Sequence, residues 1–96
     1  MNIQHEDSAR GGLFFLNENG ENLAEMVYSR QGEHQITILH TEVDESLAGK
    51  GVGQALVAAA VEFARAENLK IYPICPYAKK VLERTEEYAD VLAKAA

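Results

Sequence analysis

Cysteine is almost missing from this sequence: the chain has one, Cys75. A single thiol excludes an internal disulfide framework and a multi-cysteine metal site, so a reducing compartment, the cytoplasm, is the expected location. No run of about 18 apolar residues occurs, so no membrane-spanning helix is expected. Residues Met1 to Arg10 are polar and show no signal peptide. A basic excess is missing too. Nine Lys and Arg stand against fifteen Asp and Glu, a formal net charge of −6. A nucleic-acid protein needs a cationic stripe to displace counterions from phosphate, and an anionic membrane surface selects the same charge. Neither partner is expected. No metal is expected either, since the three histidines have no zinc-ligand spacing. No repeat or linker divides the 96 residues, which read as one domain, 1–96.

What is present changes character halfway along. Leu13-Phe14-Phe15-Leu16 is a short apolar run, and Asn17 to Glu21 follows with Asn-Gly as a turn signal. Leu23 to Arg30 resumes as a strand. Gln31-Gly32-Glu33 turns again, and Gln35 to Val43 is a third strand rich in β-branched residues. From Val52 the apolar residues recur at helical spacing: Val52, Leu56, Val57, Ala60, Val61 and Ala64. Asn68 is a plausible stop, and Leu69 to Cys75 reads as a short strand. Tyr77 to Arg84 reads as helix, with Ala78, Val81 and Leu82 on one stripe. Thr85 is placed to cap a last helix whose buried face is Tyr88, Val91, Leu92 and Ala95. Strand, helix, strand in that order is a right-handed βαβ unit. The expected fold class is therefore α/β, an α+β sandwich. Its sheet is mixed and mostly antiparallel, with one crossover and helices packed on it.

Between the third strand and the first helix lies Ala48-Gly49-Lys50-Gly51-Val52-Gly53-Gln54. A helix start offers free N–H groups and about half a positive charge. Glycines let an anion approach those groups without a Cβ in the way, and phosphate or pyrophosphate suits such a place. One glycine would serve a mere chain reversal; three in five residues exceed that need. The P-loop pattern fails because Lys50 precedes Gly51 rather than Ser or Thr. The dinucleotide fingerprint fails at Gln54 and at Leu56.

A third pattern remains, Arg/Gln-x-x-Gly-x-Gly/Ala between strand and helix, and Ala48 to Gly53 fits it except at the first position. Here the sequence resembles the GNAT superfamily of acetyl-CoA-dependent N-acetyltransferases. The stretches His40-Thr41-Glu42-Val43 and Tyr72-Pro73-Ile74-Cys75-Pro76-Tyr77 resemble those of its minimal single-domain branch. The resemblance runs from about Leu13 to about Leu92. It implies that Gly49, Lys50, Gly51, Val52, Gly53 and Gln54 cradle the pyrophosphate of coenzyme A. It also implies that amides near Val43 polarise the acyl carbonyl and that Pro76 and Tyr77 border the pantetheine. Tyr77 could donate a proton to the departing thiolate, or simply pack on the sheet. Acetyl-CoA is the implied cosubstrate. There are two departures. Ala48 stands where most members carry Arg or Gln, and the segment before Leu23 is too short for the two helices that usually shape the acceptor site.

Five more residues have two readings each. Pro73 and Pro76 remove two N–H donors, either because the last strand is an edge or because it splays from its neighbour to admit the pantetheine. His40 and Glu42, two apart on a strand, share a face roughly 6.5 to 7 Å apart. They are candidate bases, or ordinary solvated residues. Cys75 is a candidate nucleophile beside the acyl group, or a small buried hydrophobe. Cys75 and His40 are expected at the same edge of the sheet, where an imidazole lowers a thiol's pKa. His5 and His34 lie in polar segments and are assigned no role. The leading function is transfer of an acetyl group to a small amine or exposed lysine. The alternative is a non-catalytic acyl-CoA-binding module, a sensor or carrier.

Overall fold

The computed structural model describes residues 2–93. It contains a sheet of five strands in chain order. They are β1 (Gln4–Asp7), β2 (Gly11–Glu18), β3 (Glu21–Gln31), β4 (Gln35–Val43) and β5 (Lys70–Pro73). The first four pair antiparallel, and β4 pairs β5 in parallel. Helix α1 (Val52–Glu67) makes the crossover, and α2 (Pro76–Arg84) follows β5. This is the mixed, mostly antiparallel sheet with one βαβ crossover that the residue pattern predicts.

The turn chemistry explains the meander. Asn19 and Gly20 both have positive φ, 53° and 82°, which matches the right-handed twist of a tight hairpin. Asn68 ends α1 in the left-handed conformation, with its N–H directed at the carbonyls of Ala64 and Arg65. The six apolar positions read from the period of α1 are all buried. They meet Phe14, Met26, Tyr28, Ile36 and Ile38 from the sheet, and Ala78, Val81 and Leu82 from α2. Both helices lie on the face of the sheet that carries Met26 and Thr41. α2 touches α1 where Tyr77 meets Gly53, and it touches β4 where Cys75 meets Thr41.

Two expectations need correction. The first strand is not Leu13–Leu16 but β2, beginning at Gly11, and β1 lies outside it. All four β1 residues are exposed, so the strand has no apolar period by which to find it. Among the described residues the last helix is not formed: Thr85 makes no side-chain cap, and a single 3-10 turn, Glu86–Tyr88, follows it. The chain instead covers the outer edge of β5. The Ile71 amide donates to the Val91 carbonyl at 2.6 Å, and the Ala93 amide donates to the Ile71 carbonyl at 2.8 Å. Two sheet hydrogen bonds to the buried Ile71 replace the helical ones. Ala95 lies outside the described residues.

Candidate functional site

The site begins where the parallel pair comes apart. β4 and β5 are paired only from Gln35–Lys70 to Ile38–Pro73. Pro73 has no N–H, and the next two amides, Ile74 and Cys75, both fall on the Ile38 carbonyl, at 3.0 and 3.1 Å. Beyond that point β5 leaves the sheet. A bulge lies at the same place. Val27 pairs with His40 and Tyr28 with Ile38, which leaves Leu39 without an opposite residue.

Past the bulge, β4 has one free edge, and its orientation follows from register. Asp44 donates to the Leu23 carbonyl at 2.8 Å, so Leu23–Asp44 is a hydrogen-bonded position. Antiparallel positions alternate. Ala24–Val43 and Met26–Thr41 are therefore non-bonded positions. The N–H and C=O groups of Thr41 and Val43 point away from β3, into the opening that β5 has vacated.

The glycine turn closes the far side of this opening. Gly49 and Gly51 have φ of 77° and 75°, a conformation that costs other residues about 1 kcal/mol or more. A Cβ on either would meet nothing within 4 Å. The Lys50 amide donates to the Leu47 carbonyl and the Ala55 amide to the Gly51 carbonyl. Among the described residues, no acceptor takes the amides of Gly51, Val52, Gly53 and Gln54. These four N–H groups are the unsatisfied start of α1. They open on a groove of about 600 Å³ lined by Thr41, Val43, Leu47, Ala48, Gly49, Gly51, Val52, Gly53, Gln54 and Tyr77. Ala48 contributes no charge to it. Lys50 is exposed beside it.

The candidate side chains do not all gather at that groove. Cys75, 5% exposed, sits just before α2, and its thiol donates to the Thr41 hydroxyl at 3.4 Å. Burial pushes this thiol up. The Thr41 hydroxyl and the amides of Ala78, Tyr77 and Thr41 draw it down further, and the net result lies below the ordinary cysteine value. His40 is not its neighbour. Successive strand residues face opposite ways, and Thr41 takes the face toward Cys75. His40 therefore points to the opposite face, where its Nε2 lies 3.6 Å from Glu25 Oε2. Glu42 shares that face and stands directly across from Glu25. A second cavity of about 370 Å³ lies there, lined by Asn22, Leu23, Ala24, Glu25, Glu42, Val43 and Asp44. Val43 borders both cavities. Pro76 opens α2 at its first position and faces a shallow depression with Lys79, Lys80 and Arg84. Among the described residues, no three His, Cys, Asp or Glu side chains gather as metal ligands. Among the described residues, no helix is long and apolar enough to cross a membrane.

Sequence reasoning passed over Thr41 and Glu25. The alternation that puts Val43 on the open edge puts Thr41 there too, which was legible in the spacing. Glu25 was not, because only the β3–β4 register carries it to His40.

A sheet opened by a bulged strand, with a bare helix start at the end of the opening, has the architecture of the GCN5-related acetyltransferases. The sequence model of the GCN5-related N-acetyl-transferase family matches residues 13–91, and the chain belongs to that family. It is similar to the protein NATD1 of Homo sapiens, at 30% identity over 82 residues, 84% of this chain and 73% of that one. The NATD1 of Xenopus tropicalis is 29% identical over 84 residues, 86% of this chain and 75% of that one. Among solved structures, a GCN5-like protein from Staphylococcus aureus superposes with a TM-score of 0.75 at 35% identity, covering 99% of this chain and 92% of that one. A ribosomal-protein-alanine N-acetyltransferase from Brucella melitensis has a TM-score of 0.68 at 16% identity, over 93% of this chain and 66% of that one. That second likeness is one of fold.

Proposed function

We propose that the chain transfers the acetyl group of acetyl-coenzyme A to a primary amine, on a small molecule or an exposed lysine. The observation that carries this reading is the row of four free amides at Gly51 to Gln54, opening on the same groove as the free edge of β4. Those amides and Gly49 take the pyrophosphate, with Lys50 adding charge from the flank. Because Ala48 brings only a methyl group, the backbone carries the phosphate contacts. The pantetheine lies along β4 in the gap left by β5, with Tyr77 at its border. The open-edge amide of Val43 receives the thioester carbonyl, an oxyanion-type arrangement, while the Thr41 amide faces the Cys75 sulfur.

The acceptor approaches from the other face. Glu25, Glu42 and Asp44 around the second cavity favour a cationic amine, which must lose a proton before it attacks. Glu42 or His40 takes that proton. The neutral nitrogen adds to the thioester carbon, the C–S bond breaks, and the coenzyme A thiolate takes a proton from the Tyr77 phenol.

The lowered thiol of Cys75 favours a second route. Its thiolate attacks the thioester carbon, coenzyme A leaves with the Tyr77 proton, and the amine then takes the acetyl group from Cys75. The 5% exposure of Cys75 opposes this route, because the sulfur must first emerge. Intact-protein mass spectrometry after mixing with acetyl-CoA separates the two. One added acetyl group on wild type and none on Cys75→Ala establishes the relay, and an unmodified wild type with an active Cys75→Ala establishes direct attack.

Release of free thiol from acetyl-CoA tests the reading as a whole, with spermidine, lysine and a lysine-rich peptide as acceptors. Calorimetric titration with coenzyme A and with adenosine 3′,5′-bisphosphate should give the bisphosphate, which lacks the pyrophosphate, an affinity at least tenfold weaker. Tight coenzyme A binding with no acceptor-dependent thiol release would leave a carrier or sensor in place of an enzyme.

A further inference from the structure

The three glycines of the turn are glycine for different reasons. Gly49 and Gly51 have positive φ and open space around them. Gly53 is the reverse case. It lies in the first turn of α1 without a positive φ, where alanine is favoured over glycine by about 1 kcal/mol. Backbone conformation gives no reason for a glycine there, but space does. A Cβ on Gly53 would lie 2.6 Å from Tyr77 Oη, 2.8 Å from Cζ and 2.9 Å from Cε2. All three atoms belong to the phenol end of one side chain. Tyr77 is 39% exposed, so its outer side is not enclosed. Both residues line the groove.

We propose that Gly53 is a positioning residue for Tyr77. The missing methyl is the seat of the phenol, and it holds the hydroxyl over the mouth of the groove. With alanine at 53, the half-exposed ring moves outward, because the tip of a side chain yields more readily than the backbone of α1. The hydroxyl then leaves the groove while the free amides of the turn stay in place. The inference rests on the proposed transfer reaction only for its kinetic consequence.

The test compares wild type, Gly53→Ala, Tyr77→Ala and the double variant. Alanine in a helix does not endanger folding. In labelled protein, nuclear Overhauser contacts between the Tyr77 ring and the α-proton of residue 53 report the seat directly. They are expected in wild type and lost in Gly53→Ala. Coenzyme A affinity should stay within threefold in Gly53→Ala. With acetyl-CoA and the spermidine, lysine and peptide acceptors, kcat should fall at least tenfold with KM for acetyl-CoA little changed. The double variant should turn over like Tyr77→Ala alone. Ring contacts that persist in Gly53→Ala overturn the proposal. So does a tenfold loss of coenzyme A affinity on adding Gly53→Ala to Tyr77→Ala, which would mean that the methyl blocks the pyrophosphate instead. Should wild type itself release no thiol, the transfer reading fails, and the ring contacts and affinities still decide the seat.

Discussion

The two ends of the sheet treat their polar groups in opposite ways. At the β1–β3 end the groups are partnered to each other. The Tyr28 hydroxyl donates to Asp7 Oδ1 at 2.6 Å, and Arg30 donates to the same carboxylate through Nη2 at 2.6 Å and Nε at 3.1 Å. His5 Nε2 lies 2.6 Å from the Tyr28 hydroxyl. Since that hydroxyl's proton goes to Asp7, the imidazole is the donor. His5 also stacks on Phe14 at 4.1 Å, and Arg30 lies 5.5 Å from the centre of the Phe63 ring. At the β4–β5 end, among the described residues, the Val43 edge of β4 and the amides that start α1 have no partners. The first end spends its donors on holding an edge strand, and the second keeps them available to a ligand.

Glycine makes the same contrast. A Cβ on Gly12 would lie 2.0 Å from the Glu6 carbonyl and 2.8 Å from Tyr28 Oη, so that glycine is needed by what already touches it. Around Gly49 and Gly51 there is only space.

The largest expected effect is therefore at Gly12. Gly12→Ala drives a methyl against the backbone of β1 and the Tyr28 hydroxyl and should cost about 3 kcal/mol, at the upper end for overpacking. Urea denaturation measures this, and a loss below about 1 kcal/mol would mean that β1 contributes little. Coenzyme A affinity of the folded fraction should be unchanged.

Gly51 should show the opposite signature. Valine is a poor probe there, because a left-handed conformation alone costs it about 1–2 kcal/mol. Asparagine tolerates that conformation. Gly51→Asn should leave the denaturation midpoint nearly unchanged while coenzyme A affinity falls at least tenfold, about 1.4 kcal/mol. Native affinity in this variant would move the anion site elsewhere.

The smallest expected effect is at Asp7. The Arg30 hydrogen bond, with the Tyr28 hydroxyl and the charges of Arg30 and His5, holds its carboxyl below the usual range against the effect of burial. The stability it contributes is present above the ordinary carboxylate value and lost as pH falls through the lower folded value. His5 adds an effect of the same sign at higher pH. Burial disfavours its charged form despite Asp7 nearby, so its folded value lies below the ordinary one. Protonation therefore loosens the fold as pH drops below about 6.5. Wild type should melt at progressively lower temperature from pH 7.5 to 5.5 to 3.5. Asp7→Asn should cost about 1 kcal/mol at pH 7.5 and flatten the step below pH 5.5. An equally steep acid step in Asp7→Asn would remove Asp7 from the account.

Much of this was legible in the residues. The 3.6-residue period over Val52–Ala64 placed α1 and its buried face, because burial is a local consequence of a one-sided apolar stripe. Asn19-Gly20 placed a hairpin, and Gly49 to Gly53 placed the turn that opens α1. The polar β1 was not legible, because all four of its residues are polar and exposed and give no apolar period. The segment after Thr85 read as helix because Tyr88, Val91 and Leu92 have helical spacing, but the exposed edge of β5 at Ile71 supplied a competing set of hydrogen bonds.

The sequence by itself determined the class of fold, the order β2 to β5 with α1 and α2, and the glycine turn that opens α1. Each of these follows from short-range spacing, where period, turn residues and glycine act within one element. Only the tertiary structure decided that His40 and Cys75 lie on opposite faces of β4 and that Glu25 stands beside His40. It also decided that Gly53 makes room for Tyr77. These facts depend on a bulge, a cross-strand register and a contact between two helices. Such features are set by the packing of residues far apart in the chain, which no local pattern records.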